Sequence, residues 1–572
     1  MKGKSQLLIS LGFFFLIQAG GICWSQTTER VSVDSAGTEG NNASIYPSIS
    51  ADGRYVAFQS NADLVTNDTN GFTDIFVRDR LAETTIRVSL HTDGTEGEGP
   101  SLDPSISTNG RYVAFESEAG NLVAGDTDFP LGFPDIFVHD LQTGTTTWVS
   151  EDSLGGEGNG PSLNPSISGD GRYVAFQSEA TGLVAPGGSD GSFHIFVRDR
   201  QMLTTTQVSV NSLGAQGNDH SYSPSISEDG RYVAFESFAT NLVAGVTNGK
   251  SHIFVRDRQT GINTLVSVDS SAIPIQGNDN SYSPSISGDG RYVAFMSDAT
   301  NLVDNDTNPF LDVFVHDLQT GTTTRVSVAS GGGQANNHSY SPSISGDGRY
   351  VSFYSEASNL VVNDLNNSAD VFVHDRDADG NGTYDEPGGI STVRVSVVSG
   401  GGEANGDSSF PSISSDGKFV AFESFATNLV ANDKNDIFDI FVHERESVPP
   451  TVDSTNPAHN ANGVAVGDSI TAIFSEPMNG STINTNAFTL SNGVTGTVTY
   501  DANSVTATFT PSSNLNYNTT YTATITTEAE DLSGNQMQAD YTWSFTTQSK
   551  NHNSSASVSC FIATAAGDKA DF

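Results

Sequence analysis

Short apolar runs separated by tight polar turns recur from the neighbourhood of residue 30 to residue 446. The run "PSISADGRYVAFQS" at Pro47 returns, slightly varied, at Pro104, Pro165, Pro224, Pro284, Pro342 and Pro411. In each copy a β-prone stretch ("PSIS") meets an Asp-Gly or Asn-Gly pair, the dipeptides that tight hairpins favour, and a second stretch ("RYVAF") follows. A longer loop then leads to "DIFVRD" or a variant, and a further turn to "RVSV" or a variant. Four short β segments per unit are therefore predicted. The middle ones are apolar on both faces, as in a sheet covered on each side by a neighbour. Radially arranged four-stranded sheets are the blades of a β-propeller.

The outer segment appears seven times, at Arg30, Arg87, Trp148, Gln207, Leu265, Arg325 and Arg394. Its first copy precedes every "PSIS", and the seventh unit ends at "DIFVHERES" without one. Seven units and seven outer strands balance if the N-terminal copy completes the last blade, which leaves no open sheet edge. The predicted fold class is all-β: a seven-bladed β-propeller over residues 29–446, closed by its N-terminal strand, followed by an Ig-like β-sandwich. The propeller motifs resemble the TolB-like (PD40-type) family, whose blades carry a similar P-S-x-S-x-D-G-[KR]-x-[VI]-A-F core and a D-I-[FY]-V strand. The resemblance implies the fold and leaves function open, since such propellers serve as binding platforms, peptidase gates and lyase scaffolds.

After "ESVPPTVDSTNP" the pattern changes to alternating segments, "SITAIFSEPM", "SVTATFTP", "TYTATITT" and "YTWSFTT", which predict a sandwich over residues 449–547. These landmarks resemble the bacterial Ig-like domain of S-layer and other surface proteins, which implies a spacer or adhesive module. Residues 548–572, with "CFIATAA", are expected to be a disordered tail.

Lys2 and Lys4 ahead of "LLISLGFFFLIQAG" have the layout of a secretory signal peptide over residues 1–25. The expected destination is the periplasm, the cell surface or the medium. No later stretch reaches the ~18 apolar residues of a membrane span. Cys23 and Cys560 are the two cysteines, so removal of the signal precludes an internal disulfide. The net charge of −42 disfavours nucleic acid and anionic lipid as partners and favours cations.

That charge draws attention to "DRDADGNGTYDE", which fits the twelve-residue calcium loop of an EF-hand at every fixed position. Here it extends the hairpin between the third and fourth strands of the sixth blade. Asp375, Asp377 and Asp379 would supply side-chain oxygens, Asn381 its carbonyl, Thr383 a direct or water-mediated contact, and Glu386 both carboxylate oxygens to Ca2+. The alternative is an acidic, solvated hairpin with Asx-turns. A second pattern lies before "DIFV". Asp68, Asn70 and Asp74 recur as Asp306, Asn308 and Asp312, as Asp364, Asn366 and Asp370, and as Asp433, Asn435 and Asp439. The third and fourth blades lose both aspartates together, so the two side chains are expected to meet. Either a cation joins them or each caps a turn by itself.

Signals for catalysis are poor. The G-x-S-x-G match at Gly187–Gly191 lies in a propeller loop rather than a strand-turn-helix, and no HExxH pattern occurs. His139, His316, His374 and His443 share a repeat position with Arg78, Arg198 and Arg256, which marks a structural slot. Candidate partner contacts are Tyr222, Tyr282 and Tyr340 in the Asn-rich connections between blades, and the apolar Phe129, Leu131 and Phe133. The resulting expectation is a secreted, calcium-binding, non-catalytic binding or scaffold protein, with a protein or polysaccharide ligand at the propeller face. The alternatives are a propeller enzyme acting on an extracellular polymer, as a polysaccharide lyase or hydrolase or a peptidase, and a purely structural surface component.

Overall fold

A computed structural model describes residues 27–125, 132–184, 190–399, 401–445, 449–475, 478–480, 482–501, 504–531 and 536–550. Residues 1–25, where a signal peptide is expected, Phe129, Leu131, Ser189 of the G-x-S-x-G match, both cysteines and the residues from 551 onward lie outside them. Two compact units form, one running to residue 450 and taking in 530–538, the other comprising 451–529 and 539 onward. All named elements among the described residues are β-strands, in nine four-stranded sheets. No helix among them is long and apolar enough to cross a membrane.

Seven of the sheets carry the repeat. Sheet 1 runs Ser44–Ile49, Tyr55–Ser60, Asp74–Asp79 and Thr84–Arg87, each strand antiparallel to the one before. Sheets 2 to 6 repeat this plan over 101–148, 162–207, 221–265, 281–325 and 339–394. Sheet 7 takes Ser408–Ile413, Phe419–Ser424 and Asp439–Glu444 from the end of the repeat, and its fourth strand is Thr27–Arg30, antiparallel to Asp439–Glu444 with Thr28 opposite His443. The outer strand thus ends where "RVSV" begins, one segment earlier than the apolar pattern suggests. The reason is the outer edge: Thr84–Arg87 buries only Thr85 and Arg87 and leaves Ile86 exposed, whereas Val88 leaves the ladder to be buried and donates its N–H to Ile75 O at 2.8 Å.

The repeated polar residues join sheet to sheet. The first Ser of each "PSIS" accepts the N–H of the isoleucine at the same place in the next sheet, at 3.0–3.2 Å, from Ser48 with Ile106 through Ser343 with Ile413; Ser412 of sheet 7 accepts from Ile49 of sheet 1. The second Ser bonds the turn aspartate, as Ser50 does Asp52. The turn glycine has a positive φ, +69° at Gly110, and a Cβ there would lie 2.4 Å from the ring of Tyr55 in the preceding sheet. Gly53 meets Phe419 of sheet 7 in the same way. D-G-R-Y is therefore a packing device, in which glycine is required twice over. Between the sheets, fully buried phenylalanine pairs such as Phe58 and Phe76, with ring centroids 6.1 Å apart, form the cores, each side chain contributing roughly 1.5–3 kcal/mol.

The C-terminal unit holds two sheets. One runs Val452–Asn456, Ile470–Phe474, Thr506–Pro511, Gly496–Asp501; the other runs Ala461–Val464, Tyr541–Thr547, Thr520–Ile525, Phe488–Leu490. Trp543 and Phe488 are buried between them, centroids 5.7 Å apart.

Candidate functional site

Most charged groups singled out by their recurrence are committed to the frame. Asp375, first ligand of the calcium pattern, occupies the slot of Asp79, Asp140, Asp199, Asp257 and Asp317, each gripped by the arginine that follows the D-G or N-G turn. Arg349 holds both oxygens of Asp375, at 2.7 and 2.8 Å. In the rest of the loop, Asp377 accepts from the N–H of Gly382, and the Asn381 amide bridges Asp379 at 2.7 Å and Glu386 at 3.0 Å. The Asn381 side-chain oxygen accepts from the N–H of Thr383 at 2.7 Å. Asp385, outside the ligand pattern, pairs with Arg376. Asp379, Asn381 and Glu386 are thus brought together, while Asp375 is drawn to the blade.

The paired aspartates do meet, and a guanidinium joins them. Arg87 lies 3.0 Å from both Asp68 and Asp74, and 2.9 Å from Glu96. Arg325 serves Asp306 and Asp312, Arg394 serves Asp364, Asp370 and Glu403, and Arg30 serves Asp433, Asp439 and Glu39. The intervening Asn70, Asn308, Asn366 and Asn435 each donate to the second aspartate at 3.1–3.4 Å. Burial, with the neighbouring carboxylate, pushes Asp68, Asp364 and Asp433 up to about 6, and Asp312 likewise. The signal was in the sequence: sheets 3 and 4, which lack both aspartates, carry Gln207 and Leu265 where these sheets carry arginine. His194 and His252 replace the second aspartate there, bonded to Ser209 and Ser267.

The histidine slot is structural as expected. His139, His316, His374 and His443 bond Thr146, Thr323, Thr392 and Thr28 of the outer strands at 2.8–3.0 Å, and burial lowers their pKa values.

What remains uncommitted lies at the centre. The first strand of every sheet carries a bulge at the residue before the proline, where the ladder with the second strand shifts register. Proline has no N–H for the ladder, and the preceding residue adopts φ of +46° to +54° in all seven sheets. Its N–H is capped from the preceding sheet in several cases: Asp103 by Gln59, Asn164 by Glu116, Ser223 by Gln177, and Tyr46 by Glu423, at 2.9–3.0 Å. The bulge aims these side chains at one mouth of the channel, a cavity of about 330 Å³ lined by Tyr46, Asp103, Asn164, Ser223, Ser283, Ser341, Phe410 and the seven prolines. Tyr46 and Phe410 pack at 4.7 Å; Phe410 continues to Tyr354 at 5.6 Å, and Tyr354 to Tyr340 at 4.9 Å.

The opposite end is narrower, about 140 Å³ inside a ring of seven isoleucines. Glu228 crosses it to Ser415 at 3.1 Å. Equivalent positions hold Ala51, Thr108, Gly169, Gly288 and Gly346, and a Cβ on Gly288 would lie 2.6 Å from the Glu228 carboxyl carbon.

Of the expected partner contacts, Tyr340 joins the aromatic arc at the mouth. Tyr222 stacks on His220 at 5.5 Å, and Tyr282 donates to Asp298 at 3.3 Å. All three lie in first strands rather than in connections. Phe133 is exposed. Sequence reasoning missed Tyr46, Asp103, Asn164 and Phe410. Their signal is the column before the recurrent proline, which reads Tyr, Asp, Asn, Ser, Ser, Ser, Phe.

A family model described as the bacterial Ig-like domain matches residues 446–547. The C-terminal unit is a bacterial Ig-like domain. Its two sheets are those that bury Trp543. No curated protein matches the chain. Similar solved structures include a putative TolB from Agrobacterium tumefaciens (16% identity, 50% of this chain and 80% of that one, TM-score 0.31). TolB from Acinetobacter baumannii matches at 16% identity over 63% of this chain and 80% of its own, TM-score 0.32. An oligogalacturonate lyase in complex with manganese matches at 13% identity over 75% and 98%, TM-score 0.42. The seven four-stranded antiparallel sheets of the N-terminal unit are built like propeller blades.

Proposed function

We propose that residues 29–446 form one seven-bladed propeller closed by the N-terminal strand, and that the chain is exported to act as a non-catalytic binding or scaffold protein at the bacterial envelope or cell surface. Residues 449–547 are its spacer. What supports closure is that Ile49 with Ser412 and Gly53 with Phe419 make across sheets 7 and 1 the contacts that their equivalents make elsewhere. Thr28 also meets His443 within sheet 7 as the outer strands of sheets 2, 5 and 6 meet their histidines. The observation that carries the binding role is that the larger mouth departs from the repeat in a concave site, while the recurrent ionisable groups are spent on the frame. A protein or polysaccharide ligand enters there. Pull-down from envelope and polysaccharide fractions is expected to recover a ligand with the parent chain and to lose it with Phe410→Ser. Recovery unaffected by that change overturns the reading.

We further infer that the loop at residues 375–386 binds Ca2+ through Asp377, Asp379, Glu386 and the Asn381 carbonyl, with Thr383 directly or through water, and with Asp375 left to Arg349. Its support is the sequence pattern, three carboxylates and a carbonyl spaced about Gly380, whose φ of +66° permits the sharp bend. Calorimetric titration with Ca2+ should give a binding heat that Asp379→Ala abolishes; an unchanged heat, or none in the parent, removes the site.

A further inference from the structure

The departures at the larger mouth are contiguous and chemically of two kinds. Going round from sheet 7, the bulge residues are Phe410, Tyr46, Asp103 and Asn164, then Ser223, Ser283 and Ser341. Serine suffices for the fold here, since the bulge forms with the same φ in all seven sheets. The two aromatics make one wall, backed by Tyr354, with Tyr46 38% exposed. Beside Tyr46, the Asp103 carboxylate has no hydrogen-bond or ion-pair partner among the described residues, and burial raises its pKa. Glu116 stands behind it, pushed up to about 7 by burial and by Asp103. Glu423, which caps Tyr46, is also buried and raised. No arginine, lysine or histidine lines the cavity. Carboxylates gathered in a partly desolvated site without a counter-charge attract a cation, and adjoining ring faces favour the same ligand.

We propose that this mouth binds an organic cation, an ammonium or guanidinium group on a short apolar stem, with its charge at Asp103 and its stem against Tyr46 and Phe410. The inference rests on the mouth being the ligand site. The same chemistry reaches the cell surface as a basic side chain of a polypeptide or as a small free cation.

Calorimetry on the chain at low salt distinguishes them, with agmatine, Nα-acetyl-arginine methylamide and its uncharged citrulline counterpart as probes. At least one of the two cations is expected to bind and the citrulline compound is not. A tighter complex with agmatine, a free amine that also carries a guanidinium, assigns the small free cation, and a tighter blocked arginine the side chain. Asp103→Ser installs the residue that three sheets already carry and should raise Kd about tenfold or more. Asp103→Asn, closer in shape, should do the same if the serine variant melts early. The proposal fails if neither cation binds, if citrulline binds equally well, or if both Asp103 variants bind as the parent does. In that event, envelope capture that depends on Phe410 but not on Asp103 leaves the binding role standing; loss of both takes it down too.

Discussion

Arg87 has 2% of its side chain exposed and faces Asp68 at 7% and Asp74 at 0%. Removing one partner of such a group strands buried charge and costs roughly 3–5 kcal/mol. Arg87→Leu should therefore lower the melting temperature of the chain sharply. Sheet 4 shows how the same place is built without charge, with Val246, His252 and Leu265. Transplanting that set, as Asp68→Val, Asp74→His and Arg87→Leu together, is expected to restore most of the loss. If the triple variant melts no higher than the single one, the guanidinium is not what holds the pair. Recurrence alone showed that the two aspartates belong together. It could not name the cation, because Arg87 is thirteen residues beyond Asp74 and reaches it only once the outer strand has folded back. Asp375 teaches the converse. It satisfies a calcium pattern and a blade slot at once, and the guanidinium of Arg349 on the neighbouring strand takes it.

Among elements, the outer strand is the least secured by its own sequence, with four residues and a threonine at its buried second position. Its threonine anchors it: Thr28 donates to Val397 O, just past the last strand of sheet 6, at 2.5 Å and meets His443 at 2.9 Å. Burial drives the His443 pKa down to about 3 from its ordinary 6.5. Between those values the unfolded chain binds the proton and the folded chain does not. The stability this imidazole lends is thus present above about pH 6.5 and falls as the pH drops toward 3. Hydrogen exchange at residues 27–33, corrected for intrinsic rates, should accelerate more between pH 7.5 and 5 in the parent than in His443→Gln. Equal acceleration in both excludes His443 as the cause. The first strand is equally revealing. It is read from the sequence only as a short β-prone stretch, and the proline with the αL residue before it puts a bulge there that shapes the mouth.

At the scale of the molecule, the N-terminal strand joins residues more than 400 apart along the chain, as in the hydrogen bond from Thr28 to His443. Deleting residues 27–33 would leave the edge of Asp439–Glu444 open, and an open edge invites pairing with another chain. The truncated chain is expected to melt lower and to elute partly as a dimer in size-exclusion chromatography; a monomer of unchanged stability would contradict closure by that strand. Local chemistry alone was enough to mark the inner strands, their turns and seven sequence repeats, because two-residue alternation and Asp-Gly turns act over a few neighbours and recur. The same repetition exposed the missing outer strand and so the partner of the N-terminus. Which carboxylates are neutralised and which is left facing a cavity was decided only by the tertiary structure. A carboxylate's partner comes from a strand or sheet that approaches through folding, and the free one, Asp103, differs from the rest by where a strained backbone aims it.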